Sequence, residues 1–121
     1  MIVFKLDPKN GVPFYRQIID QIRFGIASGT LSIGEQLPTV RGLAVELKVN
    51  LNTVTKAYKE LEIKEVLETH QGTGTFIGTK KFELKENEKK EKLKSICTEV
   101  MSISGSYGFS KDEIIEQINK I

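Results

Sequence analysis

The chain has 121 residues, with 18 Lys and Arg against 16 Asp and Glu, one cysteine and one histidine. That length fits one domain or one domain with a small appendage, since a second full ligand-sensing or catalytic domain would need roughly 100 further residues. The lone cysteine and lone histidine exclude a disulfide framework and a Cys/His zinc cluster, and a formal charge of +2 is too small for a protein that coats nucleic acid by bulk charge.

Ile2-Val3-Phe4 is a short apolar stretch suited to a strand or an arm, and Asp7-Pro8-Lys9-Asn10-Gly11 is turn chemistry. A first helix is predicted from Pro13, which suits a first turn because its missing N–H costs nothing there. Tyr15, Ile18, Ile19, Ile22 and Ile26 recur at helical spacing and form one buried stripe. Gly29 is a good terminator.

Thr39 can cap a second helix, whose core stripe is Val40, Leu43, Ala44 and Leu47. Asn50 can cap a third, whose stripe is Val54, Ala57, Tyr58 and Leu61. Only Lys48-Val49 lies between them, and so short a connection forces a steep crossing, the geometry of a helix-turn-helix. Val49 plugs the corner. Val66 to Ile77 then reads as a hairpin, with Leu67, Phe76 and Ile77 as apolar strand residues and Gly72 and Gly74 bracketing the turn.

From Lys80 to Lys94 the chain is rich in Lys and Glu, and this run reads as the solvated start of a helix. Leu93, Ile96, Cys97, Val100, Met101 and Ser104 form a stripe, with Cys97 expected as a small core residue. Gly105 to Gly108 breaks the helix. Ser110-x-x-Glu113 is a capping box with Phe109 and Ile114 placed as its hydrophobic staple, and a final helix carries Ile114, Ile115, Ile118 and Ile121. These two helices carry more apolar surface than they can hide on each other. A second copy of the chain is the favoured partner, through Leu93, Ile96, Cys97, Val100, Met101, Ile114, Ile115 and Ile118, because two-fold dimers suit palindromic sites.

The expected fold is α+β, mainly α. A winged helix-turn-helix occupies residues 1–79 (core 11–79), and a helical dimerisation hairpin occupies residues 80–121. In such a fold the third helix enters the major groove of DNA. It presents Leu51, Asn52, Thr55, Lys56 and Lys59 away from its core stripe. Asn can pair with adenine, Lys can reach guanine, and Thr can meet a base or a phosphate. Arg41, beside the exposed amides of the second helix, makes a phosphate clamp, unless it pairs with Glu46. Thr39, Asn50 and Thr53 stand at helix starts, where caps can also contact phosphate. The wing tip, His70, Gln71, Gly72, Thr73 and Gly74, can touch the minor groove or backbone. Gly72-Thr73-Gly74 lacks the lysine and strand-to-helix context of a phosphate loop. No nucleophile–His–acid set is present, so no enzyme, cofactor or metal is expected.

Taken together, Pro13-Phe14-Tyr15-Arg16-Gln17-Ile18, Leu37-Pro38-Thr39-Val40-Arg41 with Leu43-Ala44, Val49 to Tyr58 with Glu60-Leu61-Glu62, and Gly72-Thr73-Gly74-Thr75-Phe76 resemble the GntR family of bacterial transcription regulators. The third helix and short two-helix tail are similar to the YtrA subfamily, which lacks the large effector-binding domain of other members. The resemblance implies a homodimeric repressor of its own operon and of nearby ABC-transporter genes, with Arg41 contacting DNA. Three positions depart from the family pattern. Glu65 replaces a usual glycine, so it must avoid left-handed geometry or accept strain. Leu51 replaces a proline or polar residue, and His70-Gln71 replaces a more basic pair.

Two other readings remain open on sequence. The acidic flank Glu60, Glu62, Glu65 and Glu68 suits a winged helix that binds protein and no DNA. A small-molecule effector at the dimer interface is another. No apolar run approaches the ~20 residues that cross a bilayer, and Met-Ile-Val-Phe-Lys-Leu-Asp-Pro lacks the layout of a signal peptide. With no disulfides, a cytoplasmic protein on nucleoid DNA is expected.

Overall fold

A computed structural model describes residues 2–80 and 83–121. The elements run α1 (Phe14–Ala27), α2 (Val40–Leu47), α3 (Leu51–Ile63), β1 (Leu67–His70), β2 (Gly74–Ile77), α4 (Glu86–Ser106) and α5 (Lys111–Asn119). They form two compact units, Met1–Glu83 and Leu84–Ile121.

The first unit is organised by three apolar stripes. Ile18, Ile19 and Ile22 of α1, Leu43 and Ala44 of α2, and Val54, Ala57, Tyr58 and Leu61 of α3 are buried in one core, with Tyr15, Ile26, Val40, Leu47 and Val49 packed around it. Burying each large side chain contributes about 1.5–3 kcal/mol. Pro13 is the N-cap of α1 and precedes its first turn; its ring fixes an extended entry at φ −57°. Gly29, at φ +83°, follows the C-cap of α1. The N-terminal stretch is an arm and not a strand: Phe4 is buried in the core, and Gln21 binds both backbone groups of Lys5. Gln17 is buried, and its amide is satisfied by Asp7, Asn10 and Val12.

The wing pairs β1 with β2 antiparallel, Leu67 opposite Ile77 and His70 opposite Gly74. A third extended segment lies outside β2, a pairing the sequence pattern does not announce. Gln36 bridges Phe76, Leu37 N–H donates to Thr75 O at 2.9 Å, and Ile77 N–H donates to Glu35 O at 2.8 Å. Glu35-Gln36-Leu37 is too short for a period-two signal, so only its partner reveals it.

In the second unit, α4 begins at Glu86, later than a Lys80–Lys94 start implies, and it runs through Gly105 to Ser106. The break falls at Gly108, whose φ of +79° ends the turn; Gly105 needs no positive φ and stays helical. Ser110 and Glu113 form the expected capping box on α5, while Ile121 lies beyond that helix and is almost fully exposed. Cys97 is exposed and not a core residue of the protomer. Leu93 and Ile96 of α4 and Ile115 and Ile118 of α5 are exposed too, at 45–64%, whereas Val100 and Met101 are half-buried and Ser104 is buried.

Candidate nucleic-acid interface

The turn between α2 and α3 is made by backbone. Lys48 takes φ +57° and ψ +44°, Lys48 N–H donates to Val45 O, and Val49 N–H donates to Ala44 O at 3.1 Å. These bonds form a Schellman cap with lysine where glycine is usual. Asn50 follows at once, and its side chain accepts from Asn52 N–H at 2.8 Å. Thr39 caps α2 in the same way through Gly42 N–H at 2.9 Å. Both expected caps therefore form, and both fix the starts of helices whose first turns face outward.

The far end of α3 repeats the device. Glu65 N–H donates to Glu62 O and Val66 N–H to Leu61 O, both at 2.9 Å. Glu65 sits at φ +62°, so it accepts the left-handed geometry that glycine would take freely. Its carboxylate meets Lys80 Nζ at 3.0 Å.

With its stripe buried, α3 turns Asn52, Thr55, Lys56 and Lys59 to solvent; Leu51 is 37% exposed and Thr53 is half-buried. Thr55 Oγ1 donates to Leu51 O at 3.0 Å. Its oxygen lone pairs and methyl remain for a partner. Lys56 Nζ lies 4.0 Å from the Tyr15 ring centroid, a contact between sequence-distant helices that spacing alone could not reveal. On the same edge of α3, Glu60 meets Arg16 of α1 at 3.6 Å. Arg41 is exposed in the first turn of α2, and among the described residues it has no ion pair, with Glu46 or any other acid.

The wing tip is a turn from His70 to Thr73, closed by Thr73 N–H to His70 O at 2.9 Å, with Gly72 at φ +79°. Gln36 was not foreseen as part of this site. Its Nε2 donates to Thr73 O at 3.0 Å, and a side chain on Gly74 would strike that amide at 2.5 Å. Three residues after Gln36 comes Thr39, and Tyr58 Oη donates to Pro38 O at 2.8 Å. Burial pushes the Tyr58 hydroxyl well above its ordinary pKa, with Glu46 adding to the shift, so it stays a donor. The wing, the start of α2 and the body of α3 are thus cross-tied. His70 stacks edge-on to Phe76 with ring centroids 5.3 Å apart, and its Nε2 lies 3.6 Å from Glu68. That acid neighbour and the exposed Gln71 leave the wing without the basic pair its position would favour.

The eight residues expected at a dimer interface all lie in the second unit. Val100, Met101 and Ile114 are half-buried, and the other five are exposed. No helix among the described residues is long and apolar enough to cross a membrane.

A capped helix pair with a minimal turn, a polar outer face on the second helix and a glycine-tipped wing define a winged helix-turn-helix DNA-binding regulator. Residues 14–77 match the family described as bacterial regulatory proteins, gntR family. The chain belongs to the GntR family, in its YtrA subfamily, whose members are transcriptional regulators and not enzymes.

It is 44% identical over 75 residues to the HTH-type transcriptional repressor YtrA of Bacillus subtilis, a match covering 62% of this chain and 58% of that protein. It is 37% identical over 109 residues to the uncharacterised HTH-type transcriptional regulator YhcF of the same organism, covering 88% and 87%. The solved structure of YtrA from Sulfolobus acidocaldarius, a GntR-family transcription factor, shares 32% identity with a TM-score of 0.57, covering 96% of this chain and 93% of that one. The DNA-binding domain of AraR in complex with operator ORR3 shares 27% identity with a TM-score of 0.53, covering 64% and 93%.

Proposed function

We propose that this regulator is a homodimeric repressor that binds a palindromic operator in its own or a neighbouring transporter-type operon in the cytoplasm. Each protomer places α3 in the major groove of one half-site, the two half-sites lying about one helical turn apart. Asn52, Thr55 and Lys59 read base edges, and Leu51 offers apolar contact to a thymine methyl. Thr39, Arg41, Asn50 and Thr53 meet backbone phosphates beside two helix starts. His70 to Gly74 reach the adjacent groove. The exposed stripes of α4 and α5 pair with those of a second copy.

The observation that carries this reading is the outer face of α3. Asn52 and Lys59 are exposed, and their side chains make no hydrogen bond or ion pair among the described residues. They stand on a helix whose opposite face is fully buried. A near-neutral protein with such a face must win affinity from specific contacts over bulk charge.

Fluorescence anisotropy on the protein's own upstream promoter and on a scrambled duplex, at several salt concentrations, tests it. Tight binding that prefers the promoter and weakens steeply with salt is expected. Equal weak binding to both duplexes, or affinity indifferent to salt, would overturn operator reading in favour of a protein partner.

A further inference from the structure

We infer that Tyr15 of α1 is a positioning residue for DNA binding: its ring holds Lys56 at the edge of α3, where the lysine meets a backbone phosphate and not a base edge. This rests on the proposed docking of α3 in the major groove.

The placement follows from helix geometry. At about 100° per residue, Lys56 lies about 40° and Glu60 about 80° round α3 from Asn52, which stands opposite the buried stripe. The rotation is toward α1, because Glu60, one turn further along the same edge, meets Arg16 of α1. A helix in the major groove is flanked by two phosphate strands, so side chains at its centre line reach bases and those at its margins reach phosphates. With its ammonium drawn to Tyr15 of α1, Lys56 therefore borders the backbone on the α1 side.

Tyr15 narrows what Lys56 can do there. The ammonium sits 4.0 Å from the ring centroid, where the negative face of the ring attracts it. A ring face accepts a cation without a conventional hydrogen bond, so the N–H groups that do not face the ring stay free for phosphate oxygens. The ring restricts a long flexible side chain before DNA arrives, which lowers the entropy lost on binding. Arg16 also approaches this ring, at 5.5 Å, but it is held by Glu60. Lys56 has no acidic partner among the described residues, so its charge is available to DNA.

The test measures affinity and salt slope on promoter and scrambled duplexes for the unsubstituted protein, Lys56→Ala, Tyr15→Phe, Tyr15→Leu and the Tyr15→Leu/Lys56→Ala double variant. Lys56→Ala is expected to lower the salt slope by about two, one for each protomer of the proposed dimer, and to weaken both duplexes by the same factor. Tyr15→Phe should match the unsubstituted protein. Tyr15→Leu should weaken binding about two- to fivefold per protomer, and that loss should vanish when Lys56 is already alanine. If the two losses simply multiply, Tyr15 is only a packing residue and the inference fails. If Lys56→Ala instead changes base preference, the lysine reads sequence and the inference also fails. Asn52→Ala, run in parallel, reports on the major-groove reading separately: loss of promoter preference there supports that docking whatever Tyr15 does.

Discussion

Lys48 and Glu65 are the two non-glycine residues with positive φ among those described, and each closes one helix of the helix-turn-helix. For an L-residue the left-handed region costs roughly 1–2 kcal/mol. Glu65 recovers a part of this through Lys80, but both side chains are largely exposed, and such pairs contribute little. Glu65→Gly should therefore raise the stability of the first unit by about 0.5–1 kcal/mol, seen as a higher melting temperature; a lower one would show that the pair with Lys80 outweighs the strain. Asn52→Ala should weaken promoter binding by about 1–3 kcal/mol and relax sequence preference, with no fall in melting temperature because its side chain holds nothing in the protomer and alanine is the better helix former. Unchanged affinity and preference would remove Asn52 from the reading face.

At the scale of elements, caps decide where helices begin. Thr39→Ala should cost about 1 kcal/mol. Gly42 is the amide that Thr39 holds, and a Cβ there would lie 2.9 Å from Thr39 Oγ1. Gly42→Ala should destabilise the native protein by displacing the cap, yet stabilise the Thr39→Ala variant, where only the better helix propensity of alanine is felt. Equal effects in both backgrounds would disprove the clash. On α5, hydrogen bonds from the Ser110 backbone and hydroxyl hold the Glu113 carboxyl below its ordinary value of 4.5. A depressed carboxyl stabilises the helix above pH 4.5 and loses that contribution as pH falls through its folded value. Acid titration of helicity should show this loss, and Glu113→Gln should remove it. These caps were legible in the sequence because Thr39, Asn50 and Ser110 each precede an apolar stripe at fixed spacing. The strand at Gln36 and the seat of Lys56 on Tyr15 were not, because each depends on a partner far along the chain. Gly105 misled because a glycine marks a helix end only where positive φ is required, and that position was Gly108.

For the molecule as a whole, the consequential surface is the apolar face of α4 and α5. The 21 residues of α4 extend about 31 Å, and most of the apolar stripe is exposed. Ile118 is 55% exposed in the protomer, so Ile118→Lys should leave the fold of a single chain intact. If the proposed dimer forms through this face, sedimentation of the variant should show monomers, and promoter binding should fall with it because two half-sites are no longer read together. A variant that sediments as a dimer would place the interface elsewhere.

The two backbone-made corners at Lys48 and Glu65 separate what aims α3 from what α3 presents. The angle of the helix is fixed by amide–carbonyl bonds, the Asn50 cap and the buried stripe, none of which uses Asn52 or Lys59. Those positions can mutate at nearly constant stability, so a duplicated gene could drift toward a new operator without passing through an unfolded ancestor. Such a scaffold is evolvable: its address can be rewritten while the device that delivers it stays the same.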